Sequence, residues 1–460
     1  MQFGQVATIG AILLIVAGTA MADQLLNPKM PPSPEAYIAD QNAGLDAVEA
    51  SIAGLEGKKP LFAGVLHLAH GQIIAKMPLD VLIAYADALR EAGVERVDIY
   101  TTQSAWPDKI PADIAKYDAV IAHIRQIGLK LGFDPTADPR TLKGGYAQWK
   151  PWAIAAYTEM ARRYQPEKFS VMHEPTAMDM SLREKVSPAT WAAFATQACA
   201  AIAAVSPHTV CTVAILPFER AEFDALIKVP AIKSIGFDIF GDGHDLINYD
   251  SSGLRHQIDE LASMIKAARA AGKSLHIAET GRQIWDFMDL MAAASGAEKS
   301  HQSYQDYNIG DPRYIDLDER WFETMAHYAA AHEFDSIMLF RTTTFFAYSP
   351  AGTNTSLVSA GYIRGVAEAV TAHKRTGMFD TYRRVVDSHI RAQFARAHSV
   401  RIENRDVGRG ARHRSSSVPD AEYSGRTSAQ HPDCPLYRDC AFLTHPAAEQ
   451  ASRSPHSTLP

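Results

Sequence analysis

The sequence lacks the features of several common protein classes. It has only four cysteines, Cys199, Cys211, Cys434 and Cys440, and none of them has the spacing of a zinc finger. Acidic residues outnumber basic ones by 52 to 45, which gives a formal net charge of -7. Such a charge argues against nucleic acid as the partner. Cysteine-based metal binding and nucleic-acid binding are therefore disfavoured as the function.

The amino-terminal segment is apolar but too short to span a membrane. The run Val6 to Gly18 falls below the roughly 20 residues that cross a bilayer. It is followed by Ala20-Met21-Ala22, which has the small-x-small pattern of a signal-peptide cleavage site. No Lys or Arg precedes the run, and no cysteine follows it as a lipoprotein anchor requires. A membrane anchor is the alternative, but residues 1–22 are predicted to be a cleaved signal peptide of a secreted or periplasmic protein.

Export permits disulfides. Cys199 lies in a predicted helix and Cys211 in the strand that follows it, so a bridge between them and two buried thiols both fit the sequence. Whether Cys434 and Cys440 pair stays open.

Short apolar runs alternate with amphipathic stretches between residues 60 and 377. Eight of these runs read as buried strands. Each is followed by a helix candidate, of which Pro78 to Ala92, closed by Gly93, is the clearest. This pattern favours a (β/α)8 barrel over an open sheet. The predicted strands are Leu61 to Leu68, Val94 to Thr102, Lys130 to Asp134, Phe169 to Glu174, Thr209 to Leu216, Ile235 to Phe240, Leu275 to Glu279 and Ser336 to Thr342.

The composition also suggests segments outside the barrel. Residues 23–59 are predicted to be an amino-terminal extension, with a helix from Ala36 to Leu55 that covers the barrel floor. The barrel domain is predicted over residues 60–377 and a mostly disordered extension over 378–460, because lysine is absent after Lys374 and apolar periodicity fades. A long segment from Trp285 to Asp318 is expected to shape a binding site.

Two glutamates stand where predicted strands end. Glu174 lies in His173-Glu174-Pro175 after the fourth strand, and Glu279 lies in Ala278-Glu279-Thr280-Gly281 at the end of the seventh. The carboxyl ends of the strands of such a barrel meet at one face, where the chemistry of these folds is located. Cleavage of a glycosidic bond requires one protonated carboxyl and one ionised carboxylate. The two glutamates therefore predict that reaction.

At these motifs the chain resembles the large clan of retaining (β/α)8 glycosidases, which has the acid/base glutamate on strand four and the nucleophile on strand seven. The resemblance implies that Glu174 is the acid/base, that Glu279 is the nucleophile, and that a β-linked carbohydrate is the substrate, with no cofactor. An asparagine precedes the acid/base in most of the clan. His173 stands there instead, which is similar to the β-mannanase branch, although the Asn-Gly that follows in that branch is missing.

Other residues are predicted to support these two glutamates. The pKa of Glu174 has to be raised, whereas Glu279 has to stay ionised and needs hydrogen-bond donors. Arg282 and Arg341 are the candidate donors. His173 is expected to contact either the sugar 2-hydroxyl or the nucleophile. The remaining residues predicted to bind substrate from strand ends are His67, Tyr100, Asp134, Asp238 and Phe345. Trp149, Trp152 and Phe346 could stack on a sugar ring, but a place in the core is favoured for them.

Two alternatives come from other classes of protein. A divalent metal could be held at the barrel axis, as in metal-dependent barrel isomerases and hydrolases. A secreted carbohydrate-binding barrel without catalysis is the other, although the presence of both glutamates argues against it. The sugar, its linkage, the position of cleavage and the oligomeric state are not predicted. For the alternative of a divalent metal at the barrel axis, the residues that could hold the ion are His67, Asp134, Glu174, Asp238 and Glu279.

Overall fold

The computed structural model describes residues 33–55, 57–69, 71–100, 111–135, 145–240, 251–281, 314–348 and 360–389. Eight parallel strands follow one another around a closed barrel, and the last strand pairs with the first. The predicted (β/α)8 barrel is confirmed, with all eight strands at their predicted places. The strands are β1 Leu61–Val65, β2 Arg96–Ile99, β3 Lys130–Phe133, β4 Lys168–His173, β5 Val210–Ile215, β6 Ser234–Phe240, β7 Ser274–Gly281 and β8 Ser336–Leu339.

Helices connect successive strands, as parallel pairing requires. Short 3-10 turns follow β1 at His67–Ala69 and β8 at Thr342–Phe345. The described α-helices are α1 Pro34–Ile52, α2 Gly71–Lys76, α3 Leu79–Glu91, α4 Pro111–Gln126, α5 Gly145–Tyr164, α6 Pro175–Leu182, α7 Pro188–Val205, α8 Arg220–Leu226, α9 Ser251–Ala270, α10 Ile315–Ala331 and α11 Ala360–Thr371.

The hydrophobic core lies between the barrel and its helices. Trp149 of α5 is fully buried against Trp191 and Phe194 of α7, with its ring centre 4.7 Å from that of Phe194. The core position favoured for Trp149 is therefore confirmed. Phe133 and Phe169 of neighbouring strands also pack together, with ring centres 5.9 Å apart.

A buried ionic cluster occupies the amino-terminal half of the barrel interior. Asp98 accepts hydrogen bonds from Arg96 at 2.7 Å and from Lys168 at 3.0 Å, and all three residues are buried. Gly132 on the adjacent strand is required there, because a Cβ atom at this position would lie 2.0 Å from Oδ1 of Asp98. The cluster joins β2 to β4 by paired charges rather than by apolar contact.

The amino-terminal helix lies on the outside of the barrel. It packs against α9 and α10, its Tyr37 ring meets that of Tyr314, and Arg320 bonds to its Asn42 at 2.6 Å. The expectation that this helix covers the barrel floor is wrong. Its apolar side is instead buried by two outer helices of the barrel.

Cys199 and Cys211 form a disulfide that joins α7 to β5. Among the described helices, α7 is the one that is long and apolar enough to cross a membrane. Its buried residues Trp191, Phe194 and Ile202 are part of the barrel's core, which accounts for its apolar composition.

Helical structure continues over residues 377–389, directly after the predicted end of the barrel domain. Phe379 and Tyr382 of this segment are buried, and the Tyr382 hydroxyl donates to the carbonyl of Ala63 in β1. The predicted signal peptide, residues 285–313 of the long segment, Cys434 with Cys440, and the extension beyond residue 400 lie outside the described residues.

Candidate active site

Extra residues in two strands set the direction of the two glutamates. Between Ile277 and Thr280, β7 has one residue more than its neighbour β8, and it gains one against β6 at the same place. Between Ser170 and His173, β4 likewise has one residue more than β5. Such bulges turn side chains and are frequent next to active sites. Both strands that carry a glutamate are therefore irregular just before it.

Glu174 follows β4 in a left-handed backbone conformation, with a φ of 45°. This conformation is uncommon for residues other than glycine and costs about 1–3 kcal/mol. Two hydrogen bonds hold it, from the Glu174 N–H to the carbonyl of Ala214 and from the Met178 N–H to the carbonyl of Glu174, each 3.0 Å long. Glu174 thus ends β4 and begins α6, and its side chain stays half-buried at the mouth of the barrel.

Glu279 is buried, with 2% of the residue exposed, and two groups from other strands reach the same carboxylate oxygen. The Tyr100 hydroxyl, at the end of β2, donates to Oε1 of Glu279. Nε2 of His173, at the end of β4, lies 3.2 Å from that oxygen. Of the two contacts expected for His173, the structure therefore shows the one to Glu279.

His173 also connects Glu279 to a second carboxylate. Its Nδ1 lies 3.5 Å from Oδ1 of Asp134, which follows β3 and is fully buried. The imidazole ring packs edge-on against Tyr100, with ring centres 5.8 Å apart. Asp134, His173 and Glu279 thus form a continuous polar chain across the barrel mouth, and Tyr100 supports the ring of His173.

The electrostatics of the cluster follow from its burial and its excess of carboxylates. Loss of water contact disfavours a charged His173, but Glu279, Asp134 and Asp238 outweigh it and raise the pKa of His173 well above its usual value. Burial and the nearby Glu279 also raise the pKa of Tyr100, so that its hydroxyl keeps its proton. Both groups are therefore hydrogen-bond donors to Glu279 near neutral pH.

The pKa values of both glutamates are raised. Burial raises that of Glu174 to about 7, His173 acts against this shift, and Glu219 adds to it. Burial also raises the pKa of Glu279 to about 8, with His173 and Tyr100 acting in the opposite direction. The direction expected for Glu174 is thus present. Glu279 has the hydrogen-bond donors expected for it, but its burial and its neighbouring carboxylates outweigh them, so its pKa does not favour the ionised form that was expected.

Asp238 lies beside Glu279 in the sheet. The two residues are register partners of β6 and β7, directly after the bulge in β7. Asp238 is 0% exposed, and burial together with Glu279 raises its pKa well above the ordinary value, whereas His173 acts to lower it. Asp238 therefore belongs to the same buried cluster.

The other predicted site residues have different surroundings. The His67 ring contacts the carbonyl of Phe340. The buried guanidinium of Arg341 lies over the Phe340 ring, 5.7 Å from its centre. Phe345 is 0% exposed and packs on Phe379 and Tyr382, so the prediction that it binds substrate is wrong, because a wholly buried ring offers no face to a sugar. Arg282 lies outside the described residues.

Glu219 was not predicted from the sequence, although it shapes the site. Its buried carboxylate accepts hydrogen bonds from the N–H groups of Thr176 at 2.6 Å and Leu216 at 2.8 Å. It thereby ties the turn after Glu174 to the end of β5. Its position three residues after the apolar run of β5 was the available signal, and it was weaker than a glutamate directly at a strand end.

Comparisons with known proteins find similarity in the fold only. No protein-family model matches the sequence, and no curated protein matches it. Among solved structures, a glycoside hydrolase family 5 mannosidase from Rhizomucor miehei has 9% sequence identity and a TM-score of 0.43, over 73% of this chain and 96% of that one.

Two further solved structures are similar at the same level. An exo-β-1,4-mannosidase from Opitutaceae bacterium strain TAV5 has 11% identity and a TM-score of 0.46, over 73% of this chain and 60% of that one. A GH10 xylanase from termite gut has 11% identity and a TM-score of 0.40, over 70% of this chain and 80% of that one. These solved barrels are glycoside hydrolases, and similarity at this level concerns the barrel alone.

Proposed function

We propose that this chain is a glycoside hydrolase that cleaves β-linked polysaccharide or oligosaccharide with retention of configuration. The observation that carries the proposal is the position of Glu174 and Glu279 at the mouth of one closed barrel, on strands four and seven. Buried donors act on Glu279, whereas Glu174 is only partly buried. This difference suits a fixed nucleophile and an acid that a leaving group can reach.

The proposed reaction has two steps. Glu279 attacks the anomeric carbon while Glu174 donates its proton to the leaving oxygen, which gives a covalent glycosyl-enzyme. Glu174, now ionised, then removes a proton from the water molecule that releases the sugar. With its pKa raised to about 7, a large share of Glu174 keeps its proton near neutral pH, as the first step requires. His173 and Tyr100 orient Glu279, and both act to lower its pKa toward the ionised form that the attack requires.

Tyr100→Phe tests the role of the Tyr100 hydroxyl as a hydrogen-bond donor to Glu279. Removing the hydroxyl takes one donor from Glu279, and we expect kcat to fall by roughly 10²-fold, the size found when one donor to a reacting oxygen is lost. The fall should be similar for good and poor leaving groups, because both require the nucleophile. Steady-state kinetics with an aryl glycoside and an oligosaccharide measure it.

Tyr117→Phe is the matched control. Tyr117 is also fully buried, but its hydroxyl donates to the carbonyl of Ala69. This variant should lose stability without loss of kcat. An equal fall in kcat for both variants would show that Tyr100 acts through folding rather than through Glu279.

The activity itself is tested by product analysis with mannan, xylan, β-glucan and galactan. Release of shorter sugars from at least one of them is expected. Absence of release from all four, with a folded chain, would count against the function.

Export belongs to the same proposal. The apolar run before Ala22 and the disulfide between Cys199 and Cys211 support an oxidising location outside the cytoplasm. Cleavage after Ala22, read by amino-terminal sequencing of the mature chain, tests it. An uncleaved chain held in the membrane would contradict it.

A further inference from the structure

The barrel mouth contains more carboxylates than the proposed reaction uses. Double displacement uses Glu174 and Glu279, and Asp134 has His173 as its neighbour, so Asp238 takes no part in the two chemical steps. Asp238 is 0% exposed, and within the described part of the chain neither of its side-chain oxygens has a hydrogen-bond partner. An ionised carboxylate in such a place is strongly disfavoured unless a cation compensates it.

The geometry around Asp238 suits a small ion. His173, Glu174 and Asp238 each contribute one ligand atom, and these three atoms all lie within 4.8 Å of one another. One ion between them could contact all three after small side-chain movements. Asp238 lies in β6, His173 is the last residue of β4, and Glu174 follows it directly. One imidazole nitrogen with carboxylate oxygens is a donor set that suits Mn²⁺ or Zn²⁺.

We propose that His173, Glu174 and Asp238 bind one first-row divalent cation of the Mn²⁺ or Zn²⁺ type. A bound ion requires His173 to release the proton of the ligating nitrogen. The ion also occupies the carboxylate that the proposed reaction uses as acid/base, so it inhibits hydrolysis. The inhibition rests on the proposed function, whereas the binding does not. This ligand set shares Glu174 and Asp238 with the metal site considered from the sequence, and it has His173 in place of His67, Asp134 and Glu279.

Binding is tested on the full chain after treatment with a chelator and removal of the chelator. Electron paramagnetic resonance measures free Mn²⁺, whose signal is lost when the ion binds. We expect one Mn²⁺ per chain, displaced by Zn²⁺. Asp238→Asn should weaken the binding at least about tenfold, since changes even to groups that only support a ligand cost about 10- to 100-fold in affinity.

Two measurements separate loss of the site from loss of the fold. Asp238→Asn keeps the size of the side chain and removes a buried carboxyl group that has no hydrogen-bond partner in the described part of the chain, so its melting temperature should equal or exceed that of the ion-free wild type. Asp224→Asn is the matched control, because Asp224 is an exposed carboxylate paired with Arg220. It should bind Mn²⁺ as the wild type does.

Each outcome decides one part of the proposal. A free-Mn²⁺ signal unchanged by excess chain, or equal affinity of Asp238→Asn and wild type, overturns the cation site. Hydrolysis that falls as Mn²⁺ saturates the site supports the inhibition, and hydrolysis unaffected by saturation overturns it. Hydrolysis that requires Mn²⁺ leaves the site standing and overturns the acid role of Glu174. No hydrolysis with or without the ion overturns the proposed function and the inhibition, but not the binding.

Discussion

Glu279→Ala should abolish hydrolysis of every substrate, with kcat reduced by roughly 10⁶-fold, the scale of losing a catalytic nucleophile. The reason is that the covalent intermediate forms on the Glu279 carboxylate, and alanine has no nucleophilic atom to replace it. Good and poor leaving groups should be affected alike, because both need the covalent step. Kinetics with an aryl glycoside and an oligosaccharide measure the loss.

Glu174→Ala should separate the same two substrates. An oligosaccharide needs a proton on its leaving oxygen, so kcat should fall by about 10²- to 10⁴-fold, the usual contribution of general acid catalysis. An activated aryl leaving group departs without that proton, so its first step should be nearly unchanged. Glu323→Ala, a surface change that removes an exposed pair with Arg384, is the control and should leave both rates unchanged. Equal losses of kcat/KM on both substrates would contradict the acid role, because kcat/KM reports the first step.

Asp98→Asn should cause the largest loss of stability. The change leaves Arg96 and Lys168 buried without their counter-charge, and breaking a buried ion pair in this way costs about 3–5 kcal/mol. Asp224→Asn, which breaks the exposed pair with Arg220, should cost about 1 kcal/mol or less. Denaturant unfolding at pH 7 measures both. Similar losses would show that the buried cluster is not a main source of stability.

The same aspartate gives a pH dependence. Burial acts to raise the pKa of Asp98, but the charges of Arg96 and Lys168 outweigh it and hold the pKa well below its usual range. Because the folded pKa lies below the unfolded value of about 3.9, the stabilisation is present above that pH and is lost as the pH falls further. The difference in free energy of unfolding between wild type and Asp98→Asn should therefore be constant from neutral pH to about 5. It should become smaller below about pH 4. A difference that narrows near neutral pH would contradict this assignment.

The sequence was sufficient for the barrel because its strands are short apolar runs bounded by glycine, proline or polar residues. Once eight such runs are recognised, parallel pairing brings Glu174 and Glu279 to one face. Asp134 and Asp238 could be predicted by the same argument, since each lies at or near a strand end.

Contacts across the barrel could not be read from the sequence. The approach of the Tyr100 hydroxyl to Glu279 joins β2 to β7 and depends on the bulge in β7, which leaves no mark in the residue pattern. Phe345 was misplaced for a related reason, because the 3-10 turn after β8 directs its ring into the core. The side on which α1 packs depends equally on tertiary contacts.

The most direct test of the account is the anomeric configuration of the first-formed sugar. Proton NMR can follow hydrolysis of a β-linked oligosaccharide by the ion-free chain and distinguish the two anomers before they equilibrate. Double displacement through Glu279 predicts that the β anomer appears first and that the α anomer follows by mutarotation. Initial release of the α anomer would show a single displacement by water and would contradict the roles given to Glu174 and Glu279.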